Sequence, residues 1–160
     1  MKTMKLSLRS KQSGQGLILV IIVAGIVLGL LWYLYSTAQS TQRDAIRYGH
    51  DVINKLAVNH DRAVLDQDLG AQAKMDMPPS QRDYVIQQFT RWGAPAQPIQ
   101  IEDNVTFDST LFGMVKYSPH GFFTAHLNYP AQPVTMQIAI SQGATKWLID
   151  NITVTMGQIR

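Results

Sequence analysis

The chain has 160 residues, 14 Lys or Arg against 11 Asp or Glu, a formal charge of +3 and no cysteine. The missing cysteine excludes disulfides, thiol catalysis and thiolate metal sites, so the fold must rest on an apolar core alone. The basic balance does not point to nucleic acid: the four basic residues Lys2, Lys5, Arg9 and Lys11 sit at one end, and beyond residue 35 ten basic residues face eleven acidic ones, leaving no basic face for a phosphate backbone.

Residues 1–16 form a basic tail without an acid, and no charged residue occurs between Lys11 and Arg43. Within that gap, residues 17–35 (LILVIIVAGIVLGLLWYLY) make an apolar block. As a helix it would rise about 28 Å, close to the roughly 30 Å of bilayer hydrocarbon, with its backbone hydrogen bonds satisfied internally. The pattern predicts a single membrane-spanning helix. The positive flank places the N-terminal tail in the cytoplasm and the rest of the chain outside it, in the periplasm if the cell is bacterial. Trp32, Tyr33 and Tyr35 cluster at the far end, where amphipathic rings anchor at the headgroup level. Gly25 and Gly29 form a G-x-x-x-G pair that lets two such helices approach closely, a route to a homo-oligomer. Ser36-Thr37-Ala38 would also suit a signal peptidase, but the apolar stretch is longer than the roughly 7 to 15 residues of a secretory h-region.

Residues 36–58 are predicted to continue as helix, since Ala38, Ala45, Tyr48, Val52 and Leu56 recur at helical spacing without a proline. Gly49 is the expected bend in it. Residues 59–160 hold the remainder of an α+β domain. A short helix from Asp61 to Leu69 ends at Gly70, and residues 71–79 read as a loop. A further helix is expected to be capped by Ser80, with Asp83 in a capping-box relation and Gly93 after its last turn. Val85, Phe89 and Trp92 share one face of it.

From residue 99 onward the period changes to two. Phe123, Ala125, Leu127 and Tyr129 alternate with polar residues, as do Val134, Met136, Ile138 and Ile140, the mark of half-buried strands. Turns are expected at Pro119-His120-Gly121, between Pro130 and Pro133, and at Gln142-Gly143-Ala144. Trp147 and Ile149 then give way to Ile152 and Val154 after three residues, so a bulge is expected near Asp150 and Asn151.

Helices followed by a curved antiparallel sheet of four or five strands form an α+β layer arrangement. With the segments GFFTAHLNYP, VTMQIAI and KWLIDNITVTM, in which a late Trp precedes alternating aliphatics, residues 40 to 156 resemble the NTF2-like (cystatin-like) superfamily. A single membrane helix ahead of such a domain also resembles the VirB8-type inner-membrane components of bacterial type IV secretion systems, and shares its plan with assembly factors of respiratory complexes. These resemblances imply a scaffold or interaction module in an envelope assembly, with the bilayer and other membrane or envelope proteins as partners. A second resemblance starts from Lys11-Gln12-Ser13-Gly14-Gln15-Gly16, which is similar to a type IV prepilin leader. It implies a pilin-like subunit, although the fifth mature residue would be Leu19 or Ile21 where pilins carry Glu.

Candidates for catalysis are few. His126 and Asp150 could act as an acid–base pair only within about 3 Å of each other or of a substrate proton; the plainer reading is a solvent-facing histidine and an aspartate supporting a bulge. His50, His60 and His120 have no metal-ligand spacing. No cofactor is indicated and no enzyme is expected. Asn104-Val105-Thr106 and Asn151-Ile152-Thr153 match the glycosylation pattern, which has meaning only in a eukaryotic secretory compartment. A ligand-binding member of the superfamily would use an aromatic pocket between helix and sheet, with Tyr84, Phe89, Trp92, Phe123, Tyr129 and Trp147 as candidate lining; such aromatics more commonly belong to the core.

Overall fold

A computed structural model describes residues 13–108 and 118–157. Residues 1–12 of the basic tail, including Lys2, Lys5, Arg9 and Lys11, lie outside the described residues. Four helices precede four strands: α1 (Ser13–Ala57), α2 (Arg62–Gln67), α3 (Ala71–Asp76), α4 (Pro79–Trp92), β1 (Gln100–Asp108), β2 (Ser118–Asn128), β3 (Pro133–Gln142) and β4 (Trp147–Met156). The chain divides into two compact units, residues 1–40 and 41–160.

In the first unit, α1 is the one helix among the described residues long and apolar enough to cross a membrane. From Ile18 to Tyr35 its large apolar side chains are all exposed, Trp32 most of all. A Cβ added at Gly25 or Gly29 would meet nothing within 4 Å.

The second unit is α+β. Its strands form one antiparallel sheet in the order β1-β2-β3-β4, the topology that short connections between sequential strands produce. The period-two residues of β2 and β3 put Phe123, Ala125, Leu127, Val134, Met136, Ile138 and Ile140 on one buried face. Against it pack Ala45, Val52, Ile53 and Leu56 of α1, Val64 and Leu65 of α2, and Phe89 of α4. Gly49 faces this layer, and α1 continues through it to Ala57. Its bare backbone receives the Phe123 ring, whose Cζ would lie 2.5 Å from a Cβ at position 49. Gly121 of β2 leaves the same ring its space from the other side, since a Cβ at position 121 would lie 2.7 Å from the ring's Cε2.

Several local expectations are corrected. Residues 71–79 are not a loop, because residues 71–76 form α3, which begins after Gly70 and closes with Met77 N–H donating to the Ala73 carbonyl at 2.9 Å. Ser80 does not cap α4: the helix starts at Pro79 with Pro78 as the cap residue, a proline being well suited to the first turn because it has no N–H to satisfy. Asp83 instead pairs with Arg62 of α2 at 2.7 Å. Pro119-His120-Gly121 is not a turn but part of β2, where His120 lies opposite Thr106 and Ser141. Pairing on both sides overrides the local turn preference of Pro and Gly. Asp61 caps α2, accepting from Ala63 N–H at 2.9 Å. Gly93 ends α4 at φ 79°, a left-handed conformation suited to glycine. The sheet slips register between Ala139 and Ile140, with Asp150 the extra residue on β4.

Buried Arg82 ties the three short helices together. Its Nε donates to the Met77 carbonyl at 2.8 Å, and its two terminal nitrogens reach Asp66 Oδ1 of α2 and the Lys74 carbonyl of α3, each at 3.2 Å. A lysine ammonium has no planar fork for these three directions. Arg82→Lys is therefore expected to destabilise the fold by about 1–3 kcal/mol, read as a lower melting temperature of the full chain in detergent micelles. Gly49→Ala is also expected to destabilise it, because forcing a methyl against Phe123 costs about 1–3 kcal/mol while the gain in helix propensity is about 1 kcal/mol. Phe123→Leu in the same chain should recover part of that loss, as a double-mutant cycle would show.

Candidate binding cleft

The helix–sheet interface is closed at its centre and opens at one side, between α4 and the outer half of β4. Val85, Phe89 and Trp92 recur on one face of α4, and beyond the Asp150 bulge Ile152 and Val154 of β4 turn toward them. Between the two elements runs a cleft of about 280 Å³, floored by Phe89, Ile152 and Val154 and rimmed by Tyr84, Gln88 and Met156. Tyr84 is 57% exposed and Met156 is 51% exposed. Among the described residues, no charged side chain lines the cleft. Its polar atoms are amides and hydroxyls from Gln81, Gln88, Tyr84 and Thr153, groups suited to hydrogen bonding rather than to proton transfer near neutral pH.

Of the six aromatic residues singled out in the sequence, Tyr84, Phe89 and Trp92 line this cleft. Tyr129 lies just behind them, its ring 5.5 Å from Trp92 and 6.5 Å from Phe89, while Phe89 and Trp92 meet edge to face at 5.5 Å. Phe123 and Trp147 do not line it. Phe123 belongs to the α1 contact, with His50 edge-on at 6.2 Å, and Trp147 is buried at the start of β4, opposite Gln142. The six therefore do not enclose one pocket. Sequence reasoning missed Met77, Gln81, Gln88, Thr153 and Met156. The phase change after Asp150 was the available signal for Ile152 and Val154.

His126 and Asp150 are kept apart. His126 lies opposite Thr135, whereas Asp150 sits at the bulge beside Ile140, about 17 Å along β3 at roughly 3.3 Å per residue. His126 Nε2 is 3.9 Å from Glu102 Oε1, both exposed, and Asp150 Oδ1 accepts from the Ser141 hydroxyl at 2.9 Å. His50 approaches Asp103 at 3.7 Å, between α1 and β1. It also edges a shallower, more polar groove with Asn54 and residues 94–99. No cluster of three metal-ligating side chains occurs among the described residues.

Tyr129 fixes the back of the cleft to α1 by donating its hydroxyl to the Ala57 carbonyl at 3.1 Å. Burial pushes this phenol up from 10.0 to about 12. The phenol of Tyr48 is also raised, by burial first and then by the Asp68 and Asp51 carboxylates. Because the unfolded phenol ionises first, the stabilisation from neutral Tyr129 is complete below about pH 10 and is lost as pH rises through about 12. Tyr129→Phe is expected to cost about 1 kcal/mol at neutral pH through the lost hydrogen bond. It should also flatten the alkaline fall in stability between those values, leaving the part due to Tyr48, as melting curves across pH 8 to 12 would show.

No family model, curated protein or solved structure matches the chain.

Proposed function

We propose that this chain is a single-pass membrane protein whose second unit is a non-enzymatic, NTF2-like interaction module held outside the cytoplasm. The observation that carries this reading is the contrast between the two units. Residues 18–35 expose a continuous, uncharged apolar helix surface that water would penalise, whereas the described residues of the second unit bury a core of their own. The basic residues before the apolar stretch favour a cytoplasmic amino terminus. The order of helices followed by a four-strand meander, with a bulged last strand beginning at Trp147, supports the NTF2-like assignment. An open, uncharged cleft supports binding over turnover. The role is that of a scaffold or adaptor in an envelope assembly, as in VirB8-type components.

A pilin-like subunit is the second reading, favoured by the unbroken 45-residue α1 ahead of an antiparallel sheet. Intact-mass analysis separates the two. The first reading expects an unprocessed chain that resists alkaline extraction from membranes, with its carboxyl end protected from protease added on the cytoplasmic side. A new amino terminus at Gln15 or Leu17, N-methylated, would establish the second; a chain released after Ala38 would overturn both. Replacing Gly25 and Gly29 together by Leu adds side chains where a Cβ meets nothing within 4 Å. It is therefore expected to weaken crosslinking between copies in intact membranes while leaving the melting of residues 41–160 unchanged.

A further inference from the structure

Strand β4 is an edge of the sheet, and its two halves are treated differently. The half before the bulge is covered: Ile149 N–H donates to the Asp68 carbonyl at 2.8 Å, and Gly70 N–H donates to the Ile149 carbonyl at 2.8 Å. This makes Leu69 a one-residue parallel bridge on Ile149. The chain then leaves the edge as α3.

The half after the bulge is bare. Gly157 N–H donates to the Pro133 carbonyl at 2.9 Å, which sets the phase of the β3–β4 ladder. With Val134 opposite Met156, Met136 opposite Val154 and Ile138 opposite Ile152, alternation directs the peptide groups of Ile152, Val154 and Met156 away from β3. They have no backbone partner among the described residues. The strand carries no charge or proline of its own from Asn151 to Gly157, although natural edge strands commonly do; the carboxylates of Asp76 and Asp150 stand only at its Asn151–Ile152 end. The bare edge runs along the mouth of the α4–β4 cleft, so a strand added about 4.8 Å from β4 would turn alternate side chains under Tyr84 and Val85.

We propose that this edge takes an extended, uncharged segment of another polypeptide as a fifth strand, its alternate side chains entering the cleft. The inference rests on the interaction-module reading and names what that module grips. The donors and acceptors repeating every second residue are matched by a peptide backbone, whereas a lipid chain would fill the cleft and leave them unpaired. The uncharged lining selects for uncharged side chains, since a charge there would be desolvated without a partner. The covered half takes its one bridge, from Leu69, in the parallel sense, while two copies related by a two-fold axis would pair their β4 edges antiparallel.

The test uses the full chain in nanodiscs and a capped, fluorescein-labelled heptapeptide alternating threonine and valine. It has two controls, one N-methylated at its valines and one at its threonines. Because alternate amides point to opposite edges of a strand, one control should lose at least tenfold in affinity and the other should bind within threefold of the parent. Hydrogen exchange at Ile152, Val154 and Met156 should slow at least tenfold with peptide bound. Tyr84→Lys, at an exposed position, should weaken binding tenfold without lowering the melting temperature. Absence of peptide binding, equal binding of both controls, displacement of the peptide by laurate, or a disulfide between two copies of Thr155→Cys in the absence of peptide would each overturn the proposal. Photoreactive residues placed in turn at Met156 and at Phe122, on the opposite sheet face, separate this proposal from the broader one. Protein adducts from position 122 alone would leave an interaction module and remove the β4 edge from it; adducts from neither would count against the module itself.

Discussion

The second unit depends on one close contact, the Phe123 ring lodged between the bare backbones of Gly49 and Gly121. A helix packs on a sheet at a distance set by the side chains between them, and here two absent side chains set it. With α1 seated that closely, Ala45, Val52, Ile53 and Leu56 reach the residues of β2 and β3 that face them, and no described member of that group is left exposed. The helix-propensity cost of Gly49, about 1 kcal/mol, is offset by burial of a phenylalanine worth about 1.5–3 kcal/mol.

What α1 and the sheet leave uncovered is closed by the short helices, each too short to persist alone. Arg82 holds them by bonding α2 and α3 from a position on α4, and Lys146 joins the end of α2 to the β3–β4 turn through Asp68 at 2.6 Å and the Gln67 carbonyl at 3.0 Å. The Asp150 bulge divides β4 into a half that completes this closure and a half that does not. A strand pleated without interruption would continue the phase of Trp147 and Ile149, whereas the extra residue lets Ile152 and Val154 face α4 while the backbone beyond them stays open.

Much of this is legible in the chain. The apolar stretch, the helical recurrence through Leu56, the two alternating strands and the phase slip near Asp150 all follow from periodicities that the backbone imposes, 3.6 for a helix and 2 for a strand. The departures share one cause. At Ser80, residues 71–79 and Pro119-His120-Gly121 the sequence offers only local preferences, and each outcome is decided by a neighbour distant in sequence or by the placement of an adjoining element. Thr106 and Ser141 flank His120, and Arg82 takes the Lys74 and Met77 carbonyls at the end of α3.

The candidate site divides in the same way. Sequence alone determined that one stretch is apolar enough for a bilayer, that the remainder carries its own core, and that Phe89 and Trp92 share a helix face, because each is a property of spacing and composition along one element. Only the tertiary structure decided that Phe123 and Trp147 are core while Tyr84 rims a cleft, that His126 and Asp150 lie far apart, and that half of β4 has no backbone partner on its outer edge among the described residues. Those outcomes depend on which strand pairs with which and in what register, and a pairing between elements leaves no mark within either one.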